Sequence, residues 1–344
     1  MTKDAWQEEI DKMLQPIDSL GPVIWDTTYL LKKTGAFTYT EGYFNPPGHF
    51  YGKIINYPDP NGDIPIHGRP YTSITKAYVD GEHVMIPHDK QIEHHYEIDK
   101  TLPPPDQEPL ITKYHVLFDL DDFDGWFNDK ISRERVMVKY PQIGKNIEEV
   151  SRFMNVPMDR LGVTGSLSYG RMEDDEDIDL VFFGSPEQNM EVARKIWSMT
   201  YSDPDRKCIE FGKFWPIRFI HDGIIICTFF AYEKEDQIPL TYCDVELIKE
   251  SVEAYGTITD NTHSIYMPLI MDLGEVYIDG EEAADLPLII YDGSIRGEFF
   301  NGERLKIEGR LLELEIYGKR TRAILCVDAS QIEKERFSKG TPIF

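Results

Sequence analysis

Turn-forming residues cut the first third of this chain into pieces too short for helices. Thr27–Lys33, Phe37–Phe44 and His49–Tyr57 are aromatic and β-branched runs. They are separated by Thr34-Gly35, by Asn45-Pro46-Pro47-Gly48 and by Pro58-Asp59-Pro60-Asn61-Gly62. Such punctuation predicts short antiparallel strands joined by tight turns. Residues 1–15 depart from it: Trp6, Ile10 and Met13 or Leu14 recur every three to four positions, the spacing of a short helix, with Thr2 as its cap. The proline-rich stretch Thr101–Leu110 suits neither regular element and reads as a linker.

The middle of the chain has another texture. Asn146–Met154 carries Ile147, Val150 and Phe153 or Met154 on one helical face. A short strand, Leu161–Thr164, runs into Gly165-Ser166, and a second strand, Ile178–Phe183, follows a polar loop. Ser185, Pro186 and Glu187 are a cap, a first helical position and a first-turn acid, and the helix they open extends to about Thr200. Trp215–His221 and Ile224–Phe230 form a predicted hairpin, because Asp222-Gly223 supplies the positive φ values such a turn needs. From about Glu275 β texture returns. Ser294–Phe299, Arg304–Leu314 and Arg320–Val327 alternate, with turns at Asn301-Gly302 and Tyr317-Gly318, a pattern compatible with a small barrel.

A length of 344 residues suits two or three domains of roughly 100–200 residues. The boundaries read as 1–110, β-rich with a leading helix; 111–255, a mixed core; and 270–344, a small β-barrel. The predicted class is therefore α+β. With 36 Lys and Arg against 61 Asp and Glu, the formal charge is −25, which argues against sequence-blind binding of nucleic acid. The longest apolar run, Ile224–Phe230 interrupted by Thr228, is far below the ~20 residues a bilayer requires. The acidic start MTKDAWQEEI does not resemble a secretory signal. Cys208, Cys227, Cys243 and Cys326 form no CxxC pair and read as reduced thiols, so a cytoplasmic location is expected.

The segment that carries chemistry is 165–179, GSLSYGRMEDDEDID, followed by LVFF. Gly165 after a strand lets backbone amides approach a phosphate, Ser166 adds a hydroxyl, and Gly170 permits a second turn. Asp177 and Asp179 sit at i and i+2 at the mouth of an apolar strand, so their carboxylates share one face, roughly 7 Å apart along it. Carboxylates so placed suit one or two Mg²⁺ ions, which two such groups, water and substrate phosphates coordinate. An acidic loop alone reads as a solvated turn. The Gly-Ser upstream and the apolar strand downstream turn this one into a candidate site. Glu173–Glu176 face solvent in this reading and their field gathers cations. Arg171 either reaches a phosphate oxygen or pairs with a neighbouring acid.

This arrangement resembles the DNA polymerase β-like nucleotidyltransferase superfamily, in which Gly-Ser, a loop with a second glycine, and Asp-x-Asp opening a strand recur. Wider features are similar to a group of predicted archaeal-type nucleotidyltransferases: Asn45-Pro46-Pro47 in a β-rich N-terminal part, the aromatic-Arg strand Phe214–Phe219, and a small C-terminal β-domain. The resemblance implies that Gly165 and Ser166 bind a triphosphate and that Asp177 and Asp179 are catalytic and ligate metal. It also implies a third carboxylate on a following strand. Neither Trp215–His221 nor Ile224–Phe230 contains one; Glu210, Asp222, Glu233 and Asp244 lie outside those strands. The implied activity is transfer of a nucleoside monophosphate from an NTP to an acceptor hydroxyl of RNA, protein or a small molecule. The alternatives are a degenerate fold that binds nucleotide or RNA without turnover, and an antitoxin-like interaction protein.

Other groups carry weaker site signals. His83, His88, His94 and His95 have no common zinc spacing and no neighbouring Cys. Trp215, Arg218 and His221 are expected on one strand face, either near a nucleotide or covering the core. Between Ser294 and Arg322, seven bases (Arg296, Arg304, Lys306, Arg310, Lys319, Arg320, Arg322) outnumber five acids, a local +2 in a chain otherwise near −27. With Phe299, Phe300 and Tyr317 interleaved, the segment resembles an oligonucleotide-binding barrel that contacts single strands by stacking.

Overall fold

The structure, a computed structural model, describes residues 4–79, 82–103, 115–172 and 177–335. It is mixed α+β, mostly sheet, with five α-helices among the described residues. Pro104–Leu110 of the expected linker and the acids Glu173–Glu176 lie outside the described residues.

The runs between the early turns form strands. Tyr29–Lys32, Phe37–Thr40 and His49–Pro58 pair antiparallel in sequence, with Tyr29 opposite Tyr39 and Thr38 opposite Ile54. Gly35 takes φ +88° in the first turn, where a Cβ is disfavoured. The eight-stranded sheet also takes in Val116–Asp119 and Phe123–Phe127. The first unit thus reaches past the expected boundary at 110, because these strands pair back across more than fifty residues, which no local pattern announces. The leading helix runs Ala5–Met13 and buries Trp6, Ile10 and Met13. Its cap is Asp4, whose carboxylate accepts from the Gln7 amide at 2.8 Å; Thr2 lies outside the described residues.

The central sheet has the order Leu161–Val163, Ile178–Gly184, Ile224–Tyr232, Lys213–His221, Lys207–Glu210. Ile178–Gly184 runs parallel to Ile224–Tyr232, so the chain must cross over between them, and the helix Pro186–Ser202 begins that crossing. Ser185 caps the helix in a reciprocal box with Gln188. Its inner face carries Ile196 and Trp197, packed into one core with Leu180, Phe182 and Phe230. Each such burial contributes ~1.5–3 kcal/mol. Asp129–Lys139 and Pro141–Met154 add two more helices. The same core continues through Tyr169, Phe37 and Phe127 into the first sheet, so the two units share one interior.

The last unit is a seven-stranded curled sheet. Glu246–His263 pairs with both Leu269–Ile278 and Arg304–Ile316, while Leu286–Ile290 runs parallel to Lys319–Cys326, so the pairing path returns on itself. It begins at Glu246 rather than near 270, since the first half of that long strand is exposed and charged and shows no apolar alternation. Ser294–Phe299 is not a strand: Gly293–Ile295 is one turn of 3₁₀-helix, and Gly297 at φ +75° lies so close to Ile217 that a Cβ there would meet its Cγ2 at 2.3 Å. Phe299 and Phe300 are buried and unavailable for stacking, whereas Tyr317 is 51 % exposed. Acids from neighbouring strands answer most of the local bases: Arg304 pairs with Glu335, Lys306 with Glu253, Arg310 with Glu250, and Arg320 with Glu246 and Glu313. No helix among the described residues is long and apolar enough to cross a membrane.

Candidate active site

Alternation along Ile178–Gly184 sets the site. Ile178 and Leu180 enter the core, which leaves Asp177 and Asp179 half-buried on the opposite face. The neighbouring strand Leu161–Val163 ends in Thr164, whose amide donates to the Asp179 carbonyl at 3.1 Å and whose hydroxyl donates to the Thr27 carbonyl at 2.8 Å. The chain then turns at Gly165, φ +64°, into the 3₁₀ segment Gly165–Tyr169, which Gly170 closes at φ +72°. Ser168 donates to the Gly165 carbonyl and Ser132 to the Ser168 carbonyl, both at 2.7 Å, fixing the turn from below. A Cβ on residue 165 would lie 1.9 Å from Oδ2 of Asp179. Glycine is required there by both conformation and space.

Gly165, Ser166, Asp177, Asp179 and Arg171 all line one cleft of about 760 Å³ between the first sheet and the central sheet, a volume within the usual range for small-ligand sites. Arg171 also donates to the Pro65 carbonyl at 3.1 Å. Lys76 joins from a separate two-stranded ribbon, Lys76–Val79 paired with Glu82–Met85, so two cations face Asp63, Asp177 and Asp179. A polyphosphate meets a wall with more carboxylates than cations, and divalent counter-ions would have to reconcile the two.

Cys227 is the residue that the sequence did not reveal. It lies opposite Asp179 in the parallel register, and its thiol donates to Oδ2 of Asp177 at 2.8 Å. Donor atoms of Asp177, Asp179 and Cys227 lie within 4.8 Å of one another. Burial pushes the Cys227 thiol well above its usual pKa, and the two aspartates add to this, so it is a neutral donor here. Among the described residues no third carboxylate joins the group. Glu210 pairs with Arg218 at 2.6 Å, one strand further out. Asp222 sits in the hairpin turn, near Glu149 and His221. Glu233 follows the far end of its strand, its amide bonded to the Gly184 carbonyl. Asp244 precedes the curled sheet of the last unit.

The expected shared face of Trp215, Arg218 and His221 is not found. The Arg218 guanidinium lies over the Trp215 ring at 4.1 Å, while His221 packs on Phe153 and accepts from Arg206 near the hairpin turn. Spacing of three does not match a strand period of two; a register shift between Lys207 and Ile209 brings the first pair together. The histidines are also dispersed. His95 is fully buried, with Nε2 accepting from the Ile54 amide and Nδ1 bonded to the Gln91 carbonyl, and burial drives its pKa down to about 4. His94 lines the cleft and His88 a second cavity, and the His83 side chain lies outside the described residues.

Comparisons with protein-family models, with characterised proteins and with solved structures find no match for this chain.

Proposed function

We propose that the chain is a metal-dependent nucleotidyltransferase of the polymerase β-like kind, acting on an NTP in the cleft beside Asp179. The observation that carries this reading is the apposition of Gly165 to the Asp179 carboxylate, with Ser166 and Asp177 on the same wall. The donor set fits a divalent cation. Two ligands of one octahedral Mg²⁺ lie at most ~4 Å apart, and the carboxylate oxygens of Asp177 and Asp179 are within 4.8 Å of each other. Such an ion, held by these two residues, would supply charge neutralisation at the triphosphate. The chain's own groups then do the positioning: Gly165 lets backbone approach the phosphates, Ser166 offers a hydroxyl, Arg171 and Lys76 flank the polyanion, and Cys227 orients Asp177. The strand ring of the last unit supports the accompanying reading of an oligonucleotide-binding-like barrel. The test is calorimetric titration with ATP and GTP in Mg²⁺. Affinity is expected to vanish in a folded Asp177→Ala, Asp179→Ala variant, and unchanged affinity overturns the reading.

A second reading has its own support. A thiol stands where a third carboxylate would complete the set, which favours a fold that binds nucleotide without turnover. Pyrophosphate release from any NTP, in the presence of a mixed pool of RNA, protein and small-molecule acceptors, would rule it out.

A further inference from the structure

Beyond Asp179 lies a second cavity, of about 270 Å³, and Tyr29, Gly165 and Asp179 belong to the walls of both. Residues of all three units line it: Glu41 and Lys53 of the first, Arg218 and Phe229 of the central sheet, and Tyr291 and Arg296 of the last. Its volume sits at the lower edge of the small-ligand range.

Most charged groups in this cavity are already engaged. Glu41 pairs with Lys53 at 2.9 Å and with His115; burial raises the Glu41 carboxyl, but these two partners outweigh it and hold it below the usual range. Arg218 is paired with Glu210, and Asp292 accepts from the amides of Ser294 and Ala329. Arg296 differs. Its guanidinium lies over the Phe229 ring at 4.7 Å and its Nε donates to the Gly293 carbonyl at 3.3 Å, yet no ion-pair partner reaches it among the described residues. A guanidinium held flat on a ring, with its terminal nitrogens uncommitted, suits a planar or tetrahedral oxyanion.

Two further groups await a partner. His115 and Tyr291, 6 % and 3 % exposed, line the same cavity with ring centroids 6.1 Å apart. Neither His115 Nδ1 nor the Tyr291 hydroxyl has a hydrogen-bond partner among the described residues. A carboxylate only accepts, so His115 Nε2 carries the proton toward Glu41 and Nδ1 is left with its lone pair. Burial lowers the His115 pKa and keeps it in this neutral form. Nδ1 therefore accepts from a hydroxyl, while the tyrosine donates. Orphaned buried groups of this kind carry a desolvation cost that a bound molecule relieves.

We propose that this cavity is the acceptor site and that it takes a small hydroxyl-bearing anion, a phosphate monoester or a carboxylate. The assignment rests on the nucleotidyl-transfer reading. Arg296 and Tyr291 hold the anionic group, and His115 Nδ1 accepts from a hydroxyl of the same molecule. A further acceptor hydroxyl then meets the wall shared with the nucleotide cleft. In the transfer, the acceptor oxygen bonds to the α-phosphorus and the bond from that phosphorus to the bridging oxygen breaks. Pyrophosphate leaves with the electron pair, and the hydroxyl proton passes to solvent water.

The test needs neither metal nor nucleotide. The full chain in EDTA is titrated calorimetrically with ribose 5-phosphate, glycerate and inorganic phosphate; the first two separate a phosphate from a carboxylate preference. One saturable site in the millimolar range or tighter is expected for one of the two hydroxylated anions. It should weaken at least about tenfold in Arg296→Met and in Tyr291→Phe, the cost of losing a hydrogen bond to a charged group. Tyr291→Phe removes one oxygen and so guards against a misfolded Arg296 variant. Absence of saturable binding, wild-type affinity in both variants, or displacement by ATP overturns the proposal. Mg²⁺-NTP binding without anion binding removes the acceptor site alone. Anion binding without Mg²⁺-NTP binding removes the transfer reading, and with it the role of acceptor.

Discussion

Replacing Gly165 by alanine tests the geometry of the site with a single methyl group. The new Cβ would fall 1.9 Å from Oδ2 and 2.9 Å from Cγ of Asp179, where real Cβ contacts stay beyond 3.0 Å. Either the carboxylate or the turn must therefore give way by at least 3.0 − 1.9 = 1.1 Å. A misplacement of ~1 Å among reacting groups costs ~100-fold in rate. A left-handed backbone on a non-glycine residue adds ~1–2 kcal/mol of strain. Gly170→Ala separates the two effects. Its φ of +72° imposes the same strain, but its Cβ would meet only the flexible end of Met13, at 3.3 Å from Cγ. Thermal unfolding should show comparable losses for both variants, whereas calorimetry with Mg²⁺-NTP should show lost affinity for Gly165→Ala alone. Wild-type affinity in Gly165→Ala would refute the claim that this turn and the Asp179 carboxylate act as one unit. Equal loss in both variants would refute it as well.

Two more outcomes follow from buried groups. Cys227→Ser keeps a donor to Asp177 while Cys227→Val removes it, so Mn²⁺ affinity should survive in the first and fall ~10-fold or more in the second, the usual cost of losing an outer-shell partner; equal affinities would deny the thiol its orienting role. Asp26 is 1 % exposed, accepts from the Gly42 amide and leaves Oδ2 without a partner among the described residues, and burial pushes its pKa up to about 7. Because the folded value lies above the unfolded one, the stabilisation it provides is complete at acid pH and is lost as pH rises from ~4 toward 7. About three pKa units correspond to ~4 kcal/mol. Asp26→Asn should flatten this decline in chemical unfolding measured across that window, and an unaltered pH profile would contradict it.

What the sequence disclosed was local. The Ser185-Pro186 start of a helix, the Asp222-Gly223 hairpin and the placement of Asp177 and Asp179 on one face all depend on neighbours within a few positions. What it hid was pairing at a distance. Cys227 reaches Asp177 only through a parallel register set by a crossover of some forty residues, and an isolated cysteine in an apolar strand reads as core. Glu41 and His115 are 74 positions apart. The charged opening of Glu246–His263 hid a strand whose partners on either side supply the apolar contacts. Likewise the basic count near the C-terminus missed acids brought in from Glu246, Glu250 and Glu253.

The second cavity draws walls from Tyr29 through Arg296, and this has a bearing on biosynthesis. Domains of a nascent chain fold in order of emergence, yet here Asp177 and Asp179 leave the ribosome more than a hundred residues before Arg296. During that interval the growing polypeptide carries its acidic pair with one chamber still roofless. The second cavity thus closes only once Tyr291 and Arg296 have emerged, and a product terminated before them would retain the cleft beside Asp179 between its two sheets but lack the wall they give the neighbouring chamber.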